Sequence, residues 1–189
     1  MEILNFDIAF IHLIQTFQPN WLTLIMKFIS LISSTKSYLF IVPIIAIFFY
    51  IKHYRKEAFF TIFIVLGNIF NPIIKNIVNR ARPTGDIVNI LETKTNSSFP
   101  SGHALGAIIF YGFLIYLIWK LPFKHKKIIT LILTIFILLV GLSRIYLGAH
   151  WPSDVFGGYF IGTVWIIFMA YIYRRSKKGR FMLSSFRKH

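Results

Sequence analysis

The sequence contains no cysteine and few charged residues, and each scarcity excludes a class of protein. Without cysteine the chain can form no disulfide framework, no thiolate metal site and no thiol redox centre. Charged residues make up only 14% of the chain, whereas soluble domains carry about a quarter. Hydrophobic residues make up 56%. This composition indicates a membrane protein.

Acidic residues are scarcer still, with six against 21 basic residues and a net charge of +15. Such a surplus also occurs in nucleic-acid-binding proteins. Here, however, most basic residues fall into three groups, at 52–56, 120–127 and 174–188. Basic groups between apolar segments mark cytoplasmic loops. We therefore expect no nucleic-acid partner and a basic cytoplasmic tail over residues 174–189.

Long apolar runs with no charged residue recur along the chain, and with their flanks they approach the roughly 20 residues that cross a bilayer. Spans are predicted at 21–34, 37–51, 57–79, 103–119, 127–146 and 154–173. We predict an all-α polytopic membrane protein, with about six transmembrane helices in one bundle and a single domain over residues 1–189. Residues 1–20 are expected to include an amphipathic helix that lies in the membrane interface.

Loops 80–102 and 147–153 then fall on the side opposite the basic loops, and they hold the unusual polar residues. The first cluster is "KNIVNRARP", residues 75–83. Lys75 and Arg82 are seven residues apart, which predicts one shared helix face. Basic residues can complement a helix C-terminus, but several near a membrane favour an anionic partner. Arg80 lies off this face, and its side chain is expected to extend to the interface.

The second cluster is "PSGH", residues 100–103. Ser101 is predicted to cap a helix that begins at Gly102. A helix N-terminus presents backbone N–H groups and a positive dipole end to anions. His103 in the first turn would lie beside a bound phosphate.

The third cluster is "SRIYLGAHWPSD", residues 143–154. Gly148 is predicted to end one helix and Pro152 to begin the next. Asp154 suits the first turn of any helix. It also lies four residues after His150, close enough to hold one imidazole N–H and leave the other nitrogen as a nucleophile.

Together the three clusters resemble the tripartite signature of the type 2 phosphatidic acid phosphatase family. The resemblance covers residues 75–154: Lys75-x6-Arg82-Pro83, then Pro100 to His103, then Ser143-Arg144-x5-His150-x3-Asp154. It implies a phosphatase that uses no metal and no cofactor, with an active site on the extracytoplasmic side of the plasma membrane. Its partners would be the bilayer and a lipid phosphate substrate.

The resemblance also implies a role for each motif residue. His150 would attack phosphorus and become a phosphohistidine, Asp154 would orient it, and His103 would protonate the leaving oxygen. The remaining residues would hold the phosphoryl oxygens: Lys75, Arg82, Ser101, Gly102 and Arg144.

Several functions remain open at this point. Similar short bacterial members act on phosphatidylglycerol phosphate, phosphatidate or undecaprenyl diphosphate. The PSGH form of the second motif favours an enzyme like phosphatidylglycerophosphatase B, and a dedicated undecaprenyl diphosphate phosphatase is the alternative. Vanadium haloperoxidases share the pocket but are generally soluble and larger. A non-catalytic protein that binds or translocates lipid would need the cations but not the His150–Asp154 pair.

Overall fold

A computed structural model describes residues 2–176, which form seven helical segments and no strand. The segments are α1 (Glu2–Gln15), α2 (Asn20–Ile32), α3 (Thr35–Ile51), α4 (Arg55–Val78), α5 (Gly102–Lys120), α6 (Lys126–Tyr146) and α7 (Pro152–Arg175). A 3-10 stretch, Ile64–Ile69, lies within α4, and a π-helical stretch, Ile108–Gly112, lies within α5. The prediction of an all-α protein is confirmed.

Four helices, α4 to α7, are long and apolar enough to cross a membrane. The predicted count of six spans is not confirmed, because α2 and α3 are short and meet at a bend of 60°. The chain turns there because Ser34 caps α3, where its Oγ accepts a hydrogen bond from the Ser37 amide at 3.3 Å. Taken as one broken span, α2 and α3 raise the number to five.

Among these four spans α5 is the most buried, and the others surround it. Helix α7 approaches the beginning of α5 closely at Gly158. A Cβ atom at this position would lie 2.8 Å from the carbonyl oxygen of Ser101. The absence of a side chain therefore lets the second turn of α7 pack directly against the first turn of α5.

The bundle has one basic end and one end that carries the sequence motifs. At the basic end, the Lys56 Nζ donates to the carbonyl oxygens of Tyr173 (2.5 Å) and Ser176 (2.9 Å). The predicted basic tail begins there with the last residues of α7, and residues 177–189 lie outside the described residues. At the opposite end, the loop 79–101 pairs with the α6–α7 turn, where the Leu91 amide donates to the Leu147 carbonyl at 3.0 Å.

Helix α1 lies at the motif end and ends before Pro19, as predicted. It is amphipathic: Ile3 and Leu13 are exposed, whereas Asp7 and Ile11 are fully buried. The Gln15 side chain donates to the Asn89 carbonyl at 2.8 Å, and it accepts from the Asn89 amide at 3.0 Å. The loop 79–101 is thus held between α1 and the α6–α7 turn.

We predict that Gly148→Ala destabilises the protein. Gly148 has a φ of +67°, and a Cβ atom there would collide with the Asn89 carbonyl oxygen. Strain of this kind costs about 1–3 kcal/mol, so the Tm in detergent should fall by several degrees. Gly85→Ala is the control, since a Cβ atom there meets no other atom within 4 Å. Equal Tm values for the two variants would contradict the prediction.

Candidate active site

The predicted site residues all lie at the motif end of the bundle. They are Lys75, Arg82, Ser101, Gly102, His103, Arg144, His150 and Asp154. The last turns of α4 and α6, the first turns of α5 and α7 and the connecting loops contribute them. The Ser101 amide donates to the Asp154 carbonyl at 3.0 Å, so the start of α5, with Gly102 and His103, lies beside the start of α7. Residues as far apart in sequence as Lys75 and Asp154, 79 positions, are therefore brought together only by the helix packing.

The carboxylate of Asp154 is fully buried and lies beside His150. Its Oδ2 accepts hydrogen bonds from the Trp151 amide (2.9 Å) and the Ser98 hydroxyl (2.5 Å), and lies 3.5 Å from His150 Nδ1. Its Oδ1 accepts from Arg80 Nη1 at 2.6 Å. This 3.5 Å contact is an ion-pair distance and not a hydrogen bond, since His150 Nδ1 meets no hydrogen-bond partner among the described residues, but it places Nδ1 beside the carboxylate.

Local sequence explains how Asp154 reaches this position. Trp151 is the extended N-cap residue of α7, Pro152 begins the helix, and the Asp154 side chain bonds back to the Trp151 amide. This is the capping geometry that favours an acid in the first turn. The structural explanation for Asp154 does not exclude the functional one, because one oxygen can cap the helix and still face His150.

The second ring nitrogen of His150 faces the cations. Its Nε2 lies 3.3 Å from Arg82 Nη1, and the residue is only 3% exposed. Burial and the charges of Arg82 and Arg144 together lower the pKa of His150 to about 4, although the nearby carboxylate of Asp154 opposes this shift. The imidazole is thus neutral near pH 7. With the proton on Nδ1, the electron pair of Nε2 accepts the hydrogen bond from Arg82 Nη1.

Lys75 and Arg82 are fixed by the same stretch of loop. Lys75 Nζ donates to the carbonyl oxygens of Ser97 and Ser98. Arg82 donates through Nε to the Asn96 carbonyl at 2.7 Å and through Nη2 to the Asn96 side chain at 2.6 Å. It also donates through Nη2 to the Ser97 carbonyl at 3.3 Å. Carbonyl dipoles therefore hold both cations beside His150.

Arg144 is completely buried, and only one nitrogen of its guanidinium has acceptors among the described residues. Its Nη1 donates to the Ser30 hydroxyl and, at 2.7 Å, to Glu92 Oε2. Within the described residues its Nε and Nη2 meet no acceptor, and neither does the buried hydroxyl of Ser101. A buried donor without a partner costs about 1–3 kcal/mol. These atoms therefore suit the oxygens of an anion.

Glu92 is the counter-ion of Arg144. Burial raises the pKa of Glu92, but the hydrogen bonds and charges of Arg144 and Lys94 outweigh it and lower the pKa to about 2. The Lys94 ammonium lies 3.1 Å from Oε1. Glu92 is therefore ionised, and it neutralises part of the positive charge around Arg144.

The structure corrects three predictions. Lys75 and Arg82 do not share a helix face, because α4 ends at Val78 and Asn79 adopts a left-handed conformation with a φ of +44°. Arg80 does not extend to the interface but bonds to Asp154.

The third correction concerns the cap of α5. Ser101 does occupy the N-cap position of α5, but its side chain makes no capping hydrogen bond. Its hydroxyl remains available to the site instead. The predicted helix end near Gly148 and the helix start at Pro152 are confirmed.

Four functional contacts were missed by the sequence analysis. They come from Asp7, Ser30, Glu92 and Ser98. The two acids could have been singled out, since the whole chain has only six. No local pattern marks the two serines, because their partners lie 114 and 56 positions away along the chain.

Comparison with known proteins identifies the family. Residues 56–178 match the model of the PAP2 superfamily. The chain is 34% identical over 155 residues to phosphatidylglycerophosphatase B of Bacillus subtilis, which covers 78% of this chain and 72% of that protein. It is 32% identical over 175 residues to an undecaprenyl-diphosphatase of Sulfolobus acidocaldarius, which covers 88% of this chain and 78% of that protein.

A solved structure shares the fold. The crystal structure of a transmembrane PAP2-type phosphatidylglycerolphosphate phosphatase from Bacillus subtilis superposes with a TM-score of 0.84 at 28% identity. The superposition covers 95% of this chain and 90% of that chain. The motifs, the fold and the relatives agree, and the chain belongs to the PAP2 superfamily.

Proposed function

We propose that this protein is an integral-membrane lipid phosphatase that acts through a phosphohistidine at His150. One observation carries the proposal. A buried, neutral histidine faces Asp154 with one ring nitrogen and a cluster of cations with the other. Binding of phosphate alone would need the cations but no oriented imidazole. This pairing therefore favours hydrolysis over a non-catalytic lipid carrier.

In the first step the Nε2 electron pair of His150 attacks phosphorus. The bond from phosphorus to the lipid oxygen breaks, and His103 gives its proton to that oxygen, which releases the lipid product. The positive charge that develops on the His150 ring is balanced by Asp154. In the second step water attacks the phosphohistidine, the N–P bond breaks, and His103 takes up a proton from the water.

The phosphoryl oxygens would be held by donors that the site already fixes. Arg144 Nε and Nη2 and the Ser101 hydroxyl are buried without protein acceptors, and Gly102 begins α5 with its backbone N–H groups. Lys75 and Arg82 complete the set. Fixed donors in a site from which water is excluded supply a large part of catalysis, typically about 10²–10³ in rate for one such donor.

The acids of the site are already bound by cations, which supports a metal-independent reaction. Asp154 accepts from Arg80 and Glu92 from Arg144. Among residues 2–176, no group of three or more His, Cys, Asp or Glu side chains is arranged to hold a metal ion. The proposed chemistry needs no cofactor.

The substrate is a lipid phosphate monoester or diphosphate. The relatives support phosphatidylglycerol phosphate first, since both a 34% identical protein and the superposed crystal structure are phosphatases of that lipid by name. A 32% identical relative named undecaprenyl-diphosphatase supports undecaprenyl diphosphate as the second candidate. Phosphatidate shares the same phosphate monoester chemistry.

The site would lie on the extracytoplasmic side of the plasma membrane, within a single membrane domain. The basic loops lie at the opposite end of the bundle, where Lys56 contacts the end of α7. Positively charged loops are retained in the cytoplasm. The motif loops, 79–101 and 147–151, would then face outward.

His150→Ala should abolish turnover, by at least about a thousandfold, because no other group can accept the phosphoryl group. A lipid monophosphate with radioactive phosphate should label the wild-type protein in an acid-labile, base-stable form. His150→Ala should carry no label, and the exposed His53→Ala, at the basic end, should label normally. Undiminished label in His150→Ala, or activity that chelators remove, would contradict the mechanism.

His103→Ala should have an effect that depends on the leaving group. A lipid alkoxide must be protonated as it leaves, whereas p-nitrophenolate is stable as an anion. We expect a loss of about 10²–10⁴ with phosphatidylglycerol phosphate and a much smaller loss with p-nitrophenyl phosphate. Steady-state kcat/KM for both substrates in detergent measures this. Equal losses would show that His103 does not donate the proton.

The orientation of the protein in the membrane can be tested with single cysteine substitutions, because the sequence contains no other cysteine. Thr95→Cys lies in the exposed part of the motif loop, and Lys124→Cys lies in an exposed basic loop. A membrane-impermeant maleimide should label Thr95→Cys in intact cells and Lys124→Cys only after lysis. The reverse pattern would place the active site in the cytoplasm.

A further inference from the structure

Asp7 is a buried charge outside the three motifs. Its side chain has no exposed surface, although it lies on the amphipathic helix α1. It accepts hydrogen bonds from the Ser153 amide (2.8 Å), the Ser153 hydroxyl (2.6 Å) and Arg80 Nη2 (2.6 Å). A buried carboxylate is costly unless it is paired and hydrogen-bonded. Asp7 is therefore held in place by residues next to the catalytic pair.

Arg80 joins Asp7 to the catalytic carboxylate. Its Nη2 donates to Asp7, and its Nη1 donates to Asp154 Oδ1 at 2.6 Å and to the Ser153 hydroxyl at 2.7 Å. The guanidinium also lies over the Trp151 ring, 5.9 Å from its centre. The rigid fork of an arginine can satisfy two carboxylates in fixed directions, which a lysine ammonium cannot.

This arrangement determines which oxygen of Asp154 faces the histidine. Because Arg80 holds Oδ1, the carboxylate cannot rotate freely, and Oδ2 remains directed at His150 Nδ1. Asp7 and Asp154 each carry one negative charge and Arg80 one positive charge, so the three together carry one negative charge. This net negative charge balances the positive charge that develops on the imidazole ring when His150 is phosphorylated. Without Asp7, Arg80 would cancel the charge of Asp154 and oppose that step.

We propose that Asp7 and Arg80 are positioning residues for the nucleophile, so that α1 belongs to the catalytic machinery although it lies outside the signature. The proposal rests on the role given to His150 under Proposed function. Asp7 touches neither ring nitrogen of His150; it acts through Arg80 on Asp154. Supporting residues of this kind typically contribute about 10–100-fold.

The direct test is a double-mutant cycle with Asp7→Asn and Asp154→Asn. Asp7→Asn should lower kcat by about 10–100-fold but change inhibition by inorganic phosphate by less than about threefold, because the anion donors are untouched. In the Asp154→Asn background, Asp7→Asn should add almost no further loss, since both changes act through one carboxylate. The proposal would be overturned if kcat of the double variant fell by the product of the two single-variant losses. It would also be overturned if Asp7→Asn weakened inhibition by inorganic phosphate as strongly as it lowered kcat.

Glu57→Gln is the matched control. Glu57 is also a buried carboxylate, but it lies at the basic end and accepts from the Tyr173 hydroxyl at 2.5 Å. A substitution there perturbs packing without reaching Asp154. Glu57→Gln should leave the kcat of folded protein unchanged, with folding checked by Tm and gel filtration in detergent. If Glu57→Gln lost as much kcat as Asp7→Asn, removal of any buried carboxylate would lower activity. That result would contradict a specific role for Asp7.

Arg80 gives a second route if Asp7→Asn does not fold. Arg80→Lys should lose about as much kcat as Asp7→Asn, because one ammonium cannot bridge both carboxylates. Added guanidinium should restore part of the activity of Arg80→Ala, because it can occupy the space between the two carboxylates. Full activity in Arg80→Lys, or no restoration in Arg80→Ala, would count against the bridge.

The cycle also separates this proposal from the function on which it rests. If His150→Ala is inactive and unlabelled while Asp7→Asn is fully active, the phosphohistidine mechanism stands and only the role of α1 fails. If His150→Ala retains label and turnover, the nucleophile is another group, and the proposed function fails with it.

Discussion

The packing of the segments at the motif end of the molecule depends on hydrogen bonds to the buried carboxylate of Asp154. This carboxylate caps α7, accepts from Ser98 in the loop 79–101, and is bound by Arg80, which in turn reaches α1. These donors come from the start of α7 and from both ends of the loop 79–101, and Arg80 adds α1. A carboxylate deprived of water needs such donors to stay ionised. The same bonds that make its burial tolerable also tie three segments to the histidine that it orients.

Positive charge is the second constraint on the site. Lys75, Arg82 and Arg144 lie close together where little water is available, which would be unfavourable without compensation. The protein compensates with carbonyl dipoles from residues 96–98 and with the carboxylate of Glu92. Only part of the charge is neutralised. Several donor atoms of Arg144 and Ser101 remain for a phosphate, so the site is preorganised for an anion.

Much of the fold could be predicted from the sequence because the lipid environment leaves few options. Uncharged runs of sufficient length must be helical in a bilayer, and the predicted limits of α5, α6 and α7 agree with the structure to within a few residues. The count of spans could not be predicted in the same way. The segments around Ser34 are apolar enough on both sides, but a serine cap bends the chain there, and hydropathy does not detect a cap.

The sequence by itself determined the chemical identity of the site. Spacing within a single turn places His150 and Asp154 side by side, and a proline and a glycine mark where the neighbouring helices begin and end. Such local rules act over four or five residues and can be applied without a structure. The predicted shared face of Lys75 and Arg82 failed because one left-handed residue, Asn79, ends the helix between them.

Only the tertiary structure decided which distant groups support the site. Asp7 and Arg80 are 73 positions apart, as are Arg80 and Ser153, and Arg144 lies 114 positions from Ser30. No periodicity links such residues, since the partner of a buried charge is selected by helix packing and not by spacing along the chain. A buried charge does require a partner, and the fold alone specifies which residue that partner is.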